Sequence, residues 1–214
     1  MKKLMTLTLL LLLFVSSSFA AEGDIKLPSP EKSGGIGVLD AVAARSSARD
    51  FVDSELTPQE LSNLLWVAGG INRDDGKLTF ATASNVQDMI LFVFMKSGTY
   101  RYEPSNHSLI FIAEGDNRAL TGGQPFVAKA AVDLLYIQDT SKWAHTGRKT
   151  PADVIKNCGF AHAGLSMQGV YLYAASQGWG ARTRMNFDRE KLTKLLGLTE
   201  NHNFTLMQCV GPKP

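Results

Sequence analysis

Arg45-Ser46-Ser47-Ala48-Arg49 sets two guanidinium groups and two hydroxyls within five residues. Guanidinium forks bind phosphate oxygens and planar acceptor edges bidentately, and hydroxyls add short polar contacts, so the segment suits a flat, anionic ligand. By itself it equally fits a solvated helix terminus with surface arginines. A second segment, Ala81-Thr82-Ala83-Ser84-Asn85-Val86-Gln87, combines small residues that let a ligand approach the backbone with two amides that can read a heterocycle edge. An ordinary loop leading into a strand has the same composition. In the third, Gly178 to Phe187 (GWGARTRMNF), glycines permit tight turns whose free N–H groups could face a planar ring, or simply cap a helix ahead of a strand.

These segments need elements to hold them. A short helix over Val38–Ala44 carries the chain into Arg45. Thr57-Pro58-Gln59-Glu60 has the form of a capping box with proline at the first helical position. Leu61, Leu64, Leu65 and Ala68 then keep helical spacing, and Gly69-Gly70 supplies a left-handed stop. Apolar runs over Ile90–Met95, Tyr100–Tyr102, Ser108–Ile112 and Val132–Ile137, broken by Gly, Pro and Asn, read as antiparallel strands. Thr150-Pro151-Ala152-Asp153 opens a second long helix by the same capping logic, running to about Gln177. Its middle holds Gly159, Ala161, Ala163, Gly164, Ser166 and Gly169, which lowers helix propensity and implies close approach of another backbone, in this chain or across a dimer interface. A helix from Asp188 to Gly197 and a strand over Asn203–Val210 finish the chain. Helices interleaved with mostly antiparallel strands make an α+β sandwich.

The first twenty residues have the three parts of a secretory signal: Lys2 and Lys3, an apolar run from Leu4 to Val15, and small residues ending at Ala20. The run of about twelve residues is short of the roughly 18 to 20 that span a membrane. The expected product is therefore periplasmic or secreted, with no membrane segment after cleavage. Residues 21–35 read as a flexible lead-in and 36–214 as one domain. Removing residues 1–20 takes two lysines and no acid, which leaves 20 basic against 20 acidic residues. That balance, with no basic stripe, argues against a nucleic-acid partner. Cys158 and Cys209 either pair or sit apart as small hydrophobes, and neither belongs to a metal-binding CxxC. His107, His145, His162 and His202 are scattered; His162, within the long helix, reads as a packed or interface residue.

The order of the pieces is more specific than any one of them. An RSxxR segment, LLWVAGGINRDDGK, ATASNVQ, GTYRYEPSNHSL, AGLSMQGVYLYAASQGWGA and a terminal CVGPKP follow one another from about Val38 to Pro214. In this the chain resembles the nitroreductase family, and within it a short branch related to the azoline-oxidising dehydrogenases of peptide maturation. The resemblance implies an intertwined homodimer with two FMN molecules at the subunit interface and a ping-pong oxidoreductase cycle through flavin N5, acting on a small organic substrate. It implies that Arg45, Ser46, Ser47 and Arg49 hold the phosphate and the pyrimidine side of the flavin. Asn85 and Gln87 would lie by the ring, with Asn85 supplied by the neighbouring subunit, and Met185 and Asn186 would occupy the stretch whose backbone faces N5.

The sequence departs from the family pattern in three places. Ala81 stands where the family's PSAxN loop has proline, Asn186 stands where a glycine is common, and Lys213 is the basic residue present where longer members bring more to the phosphate. The first two departures keep a second reading open, a non-catalytic flavin or small-molecule binding module on the same fold. No side chain is assigned as acid or base, and the electron donor is unassigned.

Overall fold

Thr57 caps its helix as the sequence implies. In the computed structural model, which describes residues 23–214, the Thr57 hydroxyl accepts the Glu60 N–H at 3.3 Å and the Glu60 carboxylate accepts the Thr57 N–H at 2.7 Å. Two backbone donors that a helix start leaves orphaned are thus satisfied. Helix α2 runs Pro58–Gly69, after α1 at Val38–Ala44. Its stop differs from expectation, because Gly70 lies in extended backbone at φ −74° rather than in the left-handed region. Glycine is required there for space: a Cβ would stand 2.8 Å from Trp66 Cα.

Seven antiparallel strands form one sheet. They are β1 (Ile25–Lys26), β2 (Met89–Met95), β3 (Gly98–Glu103), β4 (Ser108–Glu114), β5 (Val132–Asp139), β6 (Trp179–Arg184) and β7 (His202–Pro212), in the order β1-β4-β3-β2-β5-β7-β6. Apolar side chains cover both faces of the central strands. Val93, Leu134 and Tyr136 meet Leu61, Leu65, Met167 and Val170 on one side, while Phe92, Phe94, Leu135 and Ile137 meet Leu192 and Leu196 on the other. Burial on both faces is why β2 and β5 read as continuous apolar runs rather than alternating ones.

Helix α3 spans Ala152–Ser176 and α4 spans Arg189–Leu196. Thr150 does not cap α3; the N-cap is Pro151, which has no side-chain donor or acceptor to offer. The small residues of α3 do admit close neighbours, from within this chain. Gly169 lies where a Cβ would be 3.5 Å from Val67, the Ser166 hydroxyl donates to the Ala68 carbonyl, and Gly159 leaves room for Gln138.

The lead-in is not a free tail over its described part. Ile25 and Lys26 pair with Leu109 and Ser108 at the sheet edge, and Leu27 is buried in the main core. The Ser62 hydroxyl donates to the Pro28 carbonyl at 2.7 Å and accepts from His107, whose other ring nitrogen accepts from Tyr102 at 2.7 Å. One buried leucine and this polar chain outweigh the Pro/Gly/Ser composition that suggests flexibility. The expected signal segment, residues 1–20, lies outside the described residues. Cys158 and Cys209 are both unpaired.

Candidate functional site

Helix α1 ends at Ala44 because Arg45 turns extended (ψ 127°), which throws Ser46 to Arg49 alongside β6. Ser47 makes a parallel bridge with Ala181, and the Ala48 N–H donates to the Ala181 carbonyl at 2.9 Å. Gly180 makes this approach possible: a Cβ there would press into Ala48 and stand 3.4 Å from Phe51. Ser47, Arg49, Arg182 and Thr183 consequently line one open depression of about 540 Å³. Arg182 is held by its Nη1 donating to the Ala48 carbonyl at 3.2 Å and by the Phe126 ring, 4.6 Å from its guanidinium. Lys213, exposed just beyond β7, has its Cβ beside Gly180.

Tyr171 of α3 ties this group together. Its hydroxyl accepts the Thr183 N–H at 2.9 Å, lies 3.3 Å from Ser47 Oγ, and its ring lies 5.4 Å from the Arg45 guanidinium. Among the described residues, Arg45, Arg49, Arg182 and Lys213 make no ion pair; the nearby Asp50 is engaged by Lys129 at 3.2 Å. Cations gathered without a carboxylate repel one another, and an anion in the depression relieves that cost.

The second group sits on the 81–87 loop. Ser84, Asn85 and Gln87 all have positive φ (52°, 53° and 48°). Side-chain-bearing residues cost about 1 to 2 kcal/mol each in this region, so the loop stores a few kcal/mol that its surroundings must offset. The offset is visible. The Gln87 N–H donates to Thr82 Oγ1 at 3.1 Å, the Gln87 carbonyl accepts from Lys142 at 3.0 Å, and the Gln87 amide donates to the carbonyl of Gly76 at 3.2 Å. The Ala83 N–H donates to His162 Nε2 at 2.8 Å, and His162 Nδ1 lies 2.7 Å from Asp88. A ring nitrogen that accepts from a backbone amide carries no proton, so the proton is on Nδ1 and is donated to Asp88.

Asp88 is fully buried and also accepts from Gln138 and Trp143, each at 2.8 Å. Burial alone would raise its pKa, but the hydrogen bonds from His162, Gln138 and Trp143 outweigh it and hold the carboxyl below the usual value.

The expected residues therefore fall into two clusters. Arg45, Ser46, Ser47, Arg49 and Lys213 gather along β6, from whose end the exposed Met185 and Asn186 emerge. Asn85 and Gln87 belong to the other cluster, beside a separate cleft lined by Ser84, Asn85, Val86, Lys142 and His145. The α3 residues that touch the two clusters, Tyr171 and His162, are nine positions apart, about 14 Å along a helix axis. Sequence reasoning did not assign Arg182, Thr183, Tyr171, Asp88 or His162. Alternation along the GARTR strand was a signal for Arg182, whereas nothing local marks His162 or Asp88, which meet only when α3 packs on the start of β2.

The family model described as the nitroreductase family matches residues 42–212. A protein of Methanocaldococcus jannaschii named as a nitroreductase is 28% identical over 191 residues, covering 83% of this chain and 91% of that one. The crystal structure of a nitroreductase-named protein from Ralstonia eutropha superposes with a TM-score of 0.82 at 31% identity, covering 91% of each chain. The NADPH:FMN oxidoreductase of Vibrio harveyi, solved with NAD+, shares the fold at a TM-score of 0.60 and 19% identity, covering 82% of this chain and 68% of that one.

Proposed function

Because the chain belongs to the nitroreductase family, we propose that it is an exported, periplasmic or secreted, FMN-dependent oxidoreductase that works as a homodimer on a small organic substrate. The observation that carries this reading is the pair of guanidiniums, Arg49 and Arg182, that line the β6 depression, with Arg45 beside Tyr171 and Lys213 beside Gly180; none of the four makes an ion pair among the described residues, and the group fits a phosphate monoester. Arg45, Arg49, Arg182 and Lys213 would hold the phosphate, with Ser46, Ser47 and Thr183 adding hydroxyl contacts. Met185 and Asn186 would lie along the ring. Bound FMN would supply hydride and electron transfer through N5, while the protein contributes binding and orientation.

Two features support the homodimer reading. Val38, Leu39 and Val42 on α1 are 66%, 79% and 53% exposed, and Leu165 on α3 and Met185 are also exposed. Exposed large apolar side chains, three of them on one short helix, suit an association face. Packing a second copy there would bring its 81–87 loop, with Asn85 and Gln87, to the flavin that one protomer's β6 cluster holds; within one protomer the clusters stay about 14 Å apart along α3. The AGLSMQGVYLYAASQGWGA helix supports a place near the azoline-oxidising branch. Export would separate the protein from the cytoplasmic nicotinamide pool, so the electron donor would be a partner redox protein or the substrate itself.

The test is a visible spectrum of the purified protein after incubation with FMN, repeated with Arg45 and Arg49 both changed to Ala. Stoichiometric flavin in the wild type, lost in the double variant, is expected. No flavin binding by the wild type sinks the oxidoreductase reading. Bound flavin that no donor reduces would favour the non-catalytic binding module, which the absence of proline at Ala81 and the presence of Asn186 also suit.

A further inference from the structure

We propose that His162 is the positioning residue of the 81–87 loop, holding it for the flavin through its Nε2 lone pair without touching the cofactor. The inference rests on the FMN reading above for what the loop serves, and on geometry alone for how it is held.

Three residues of the loop occupy positive φ, so its conformation is not one the backbone adopts unaided. The Ala83 N–H precedes the first of them and points to His162 Nε2 at 2.8 Å. His162 is almost wholly buried, and Asp88 fixes its tautomer by accepting from Nδ1 at 2.7 Å. Asp88 in turn has no freedom to move. Its second oxygen accepts from Gln138 of β5 and Trp143 of the 140–146 turn, and its carbonyl accepts the Asp139 N–H at 2.7 Å. The relay thus runs from the rigid sheet, through a buried carboxylate and imidazole, to one backbone donor of the strained loop. A buried imidazole held this way offers a lone pair in one direction only. Asp88 is two residues past Val86 in sequence, so the relay also closes the loop on itself, gripping it before Ser84 and after Gln87. Packing alone would need neither the carboxylate nor a single tautomer at this position.

Two substitutions separate this role from packing. His162→Gln places an amide oxygen near the Nε2 position and keeps an acceptor for Ala83, whereas His162→Asn places its amide near Nδ1 and keeps only the contact to Asp88. Hydrogen exchange of the 82–87 segment is measured in the flavin-free purified protein, and FMN affinity by quenching of flavin fluorescence.

The expected result is exchange at Ala83 and its neighbours faster by about tenfold or more in His162→Asn, with FMN affinity lowered by about the same factor; His162→Gln stays within about threefold of wild type in both. In the wild type, nitrogen-15 spectra of the imidazoles should show His162 as the neutral Nδ1–H tautomer. An Nε2–H tautomer, unchanged loop exchange in His162→Asn, or equal impairment of both variants in step with their melting temperatures each overturns the assignment. A wild type that binds no FMN overturns the flavin reading alone, and the exchange comparison then decides the His162 assignment by itself.

Discussion

Asp133 is fully buried in β5, and burial pushes its carboxyl up to about 6, against the opposing pull of hydrogen bonds from Cys209 and Thr121 and the charges of Arg184 and Arg118. Thr121 Oγ1 lies 2.7 Å from the Arg118 carbonyl and 2.7 Å from Asp133 Oδ2. The one hydrogen of the Thr121 hydroxyl is shared between these two acceptors, so this bond only partly offsets the cost of burying the carboxylate. The unfolded chain holds the proton at an ordinary 3.8, so the folded protein binds it more tightly. Stability therefore falls as pH rises through the window from about 4 to about 6, and the whole cost remains above it.

A shift of about 2 units corresponds to about 3 kcal/mol. Asp133→Asn replaces the carboxyl with a neutral group of the same shape whose Oδ1 can still accept from the Thr121 hydroxyl. The variant should match wild type near pH 4 and exceed it by up to about 3 kcal/mol at pH 8. For a chain of this size, that is an increase of about 1 M in the urea midpoint. Urea unfolding from pH 4 to pH 8, followed by far-UV circular dichroism, reads the difference directly. A variant less stable than wild type at pH 8, or a difference that does not change with pH, would falsify the reasoning.

Asp88 has the opposite sign: its depressed carboxyl contributes stability above the usual carboxylate range that disappears as pH falls through the folded value. Asp88→Asn should cost about 3 kcal/mol at pH 7 and flatten the acid limb of the stability curve, because an amide cannot accept from His162, Gln138 and Trp143 at once; an unaltered acid limb in urea titrations would count against this. Leu39→Glu with Val42→Glu should convert a dimer to monomers by light scattering and abolish flavin binding, and an intact dimer would exclude the α1 face as the interface. Gly180→Val should separate the 45–49 segment from β6 and release FMN while α2 and α3 remain folded; full FMN affinity in that variant would show that the close approach is dispensable. Leu192→Ala, at a fully buried site between α4 and the sheet, should lower stability by about 2 to 5 kcal/mol in chemical denaturation.

Local chemistry settled most of the elements. The capping box at Thr57, the helix over Val38–Ala44 and the apolar runs of β2 and β5 depend on residues within a few positions of each other, so they were legible before any fold was known. The same locality failed at Gly70 and Thr150, where the motif was present but the backbone found another solution: Trp66 fills the space over Gly70, and Pro151 takes the N-cap position. It failed also for Ile25–Lys26, whose strand exists only because β4 offers an edge and Leu27 a place in the core.

The site divides in the same way. The residue types of Arg45 to Arg49 make an anion site one of two readings open in the sequence itself, because a guanidinium needs no fold to favour phosphate. That Arg182, Thr183 and Lys213 join them was decided by the parallel bridge between Ser47 and Ala181, which spans more than 130 residues of chain and depends on Gly180 having no side chain. The Asp88–His162 relay was decided the same way, by the packing of α3 on the start of β2. Composition and periodicity report what a residue can do and which face it occupies; which distant partner completes it depends on tertiary packing, and there a single side chain's volume sets whether two backbones meet.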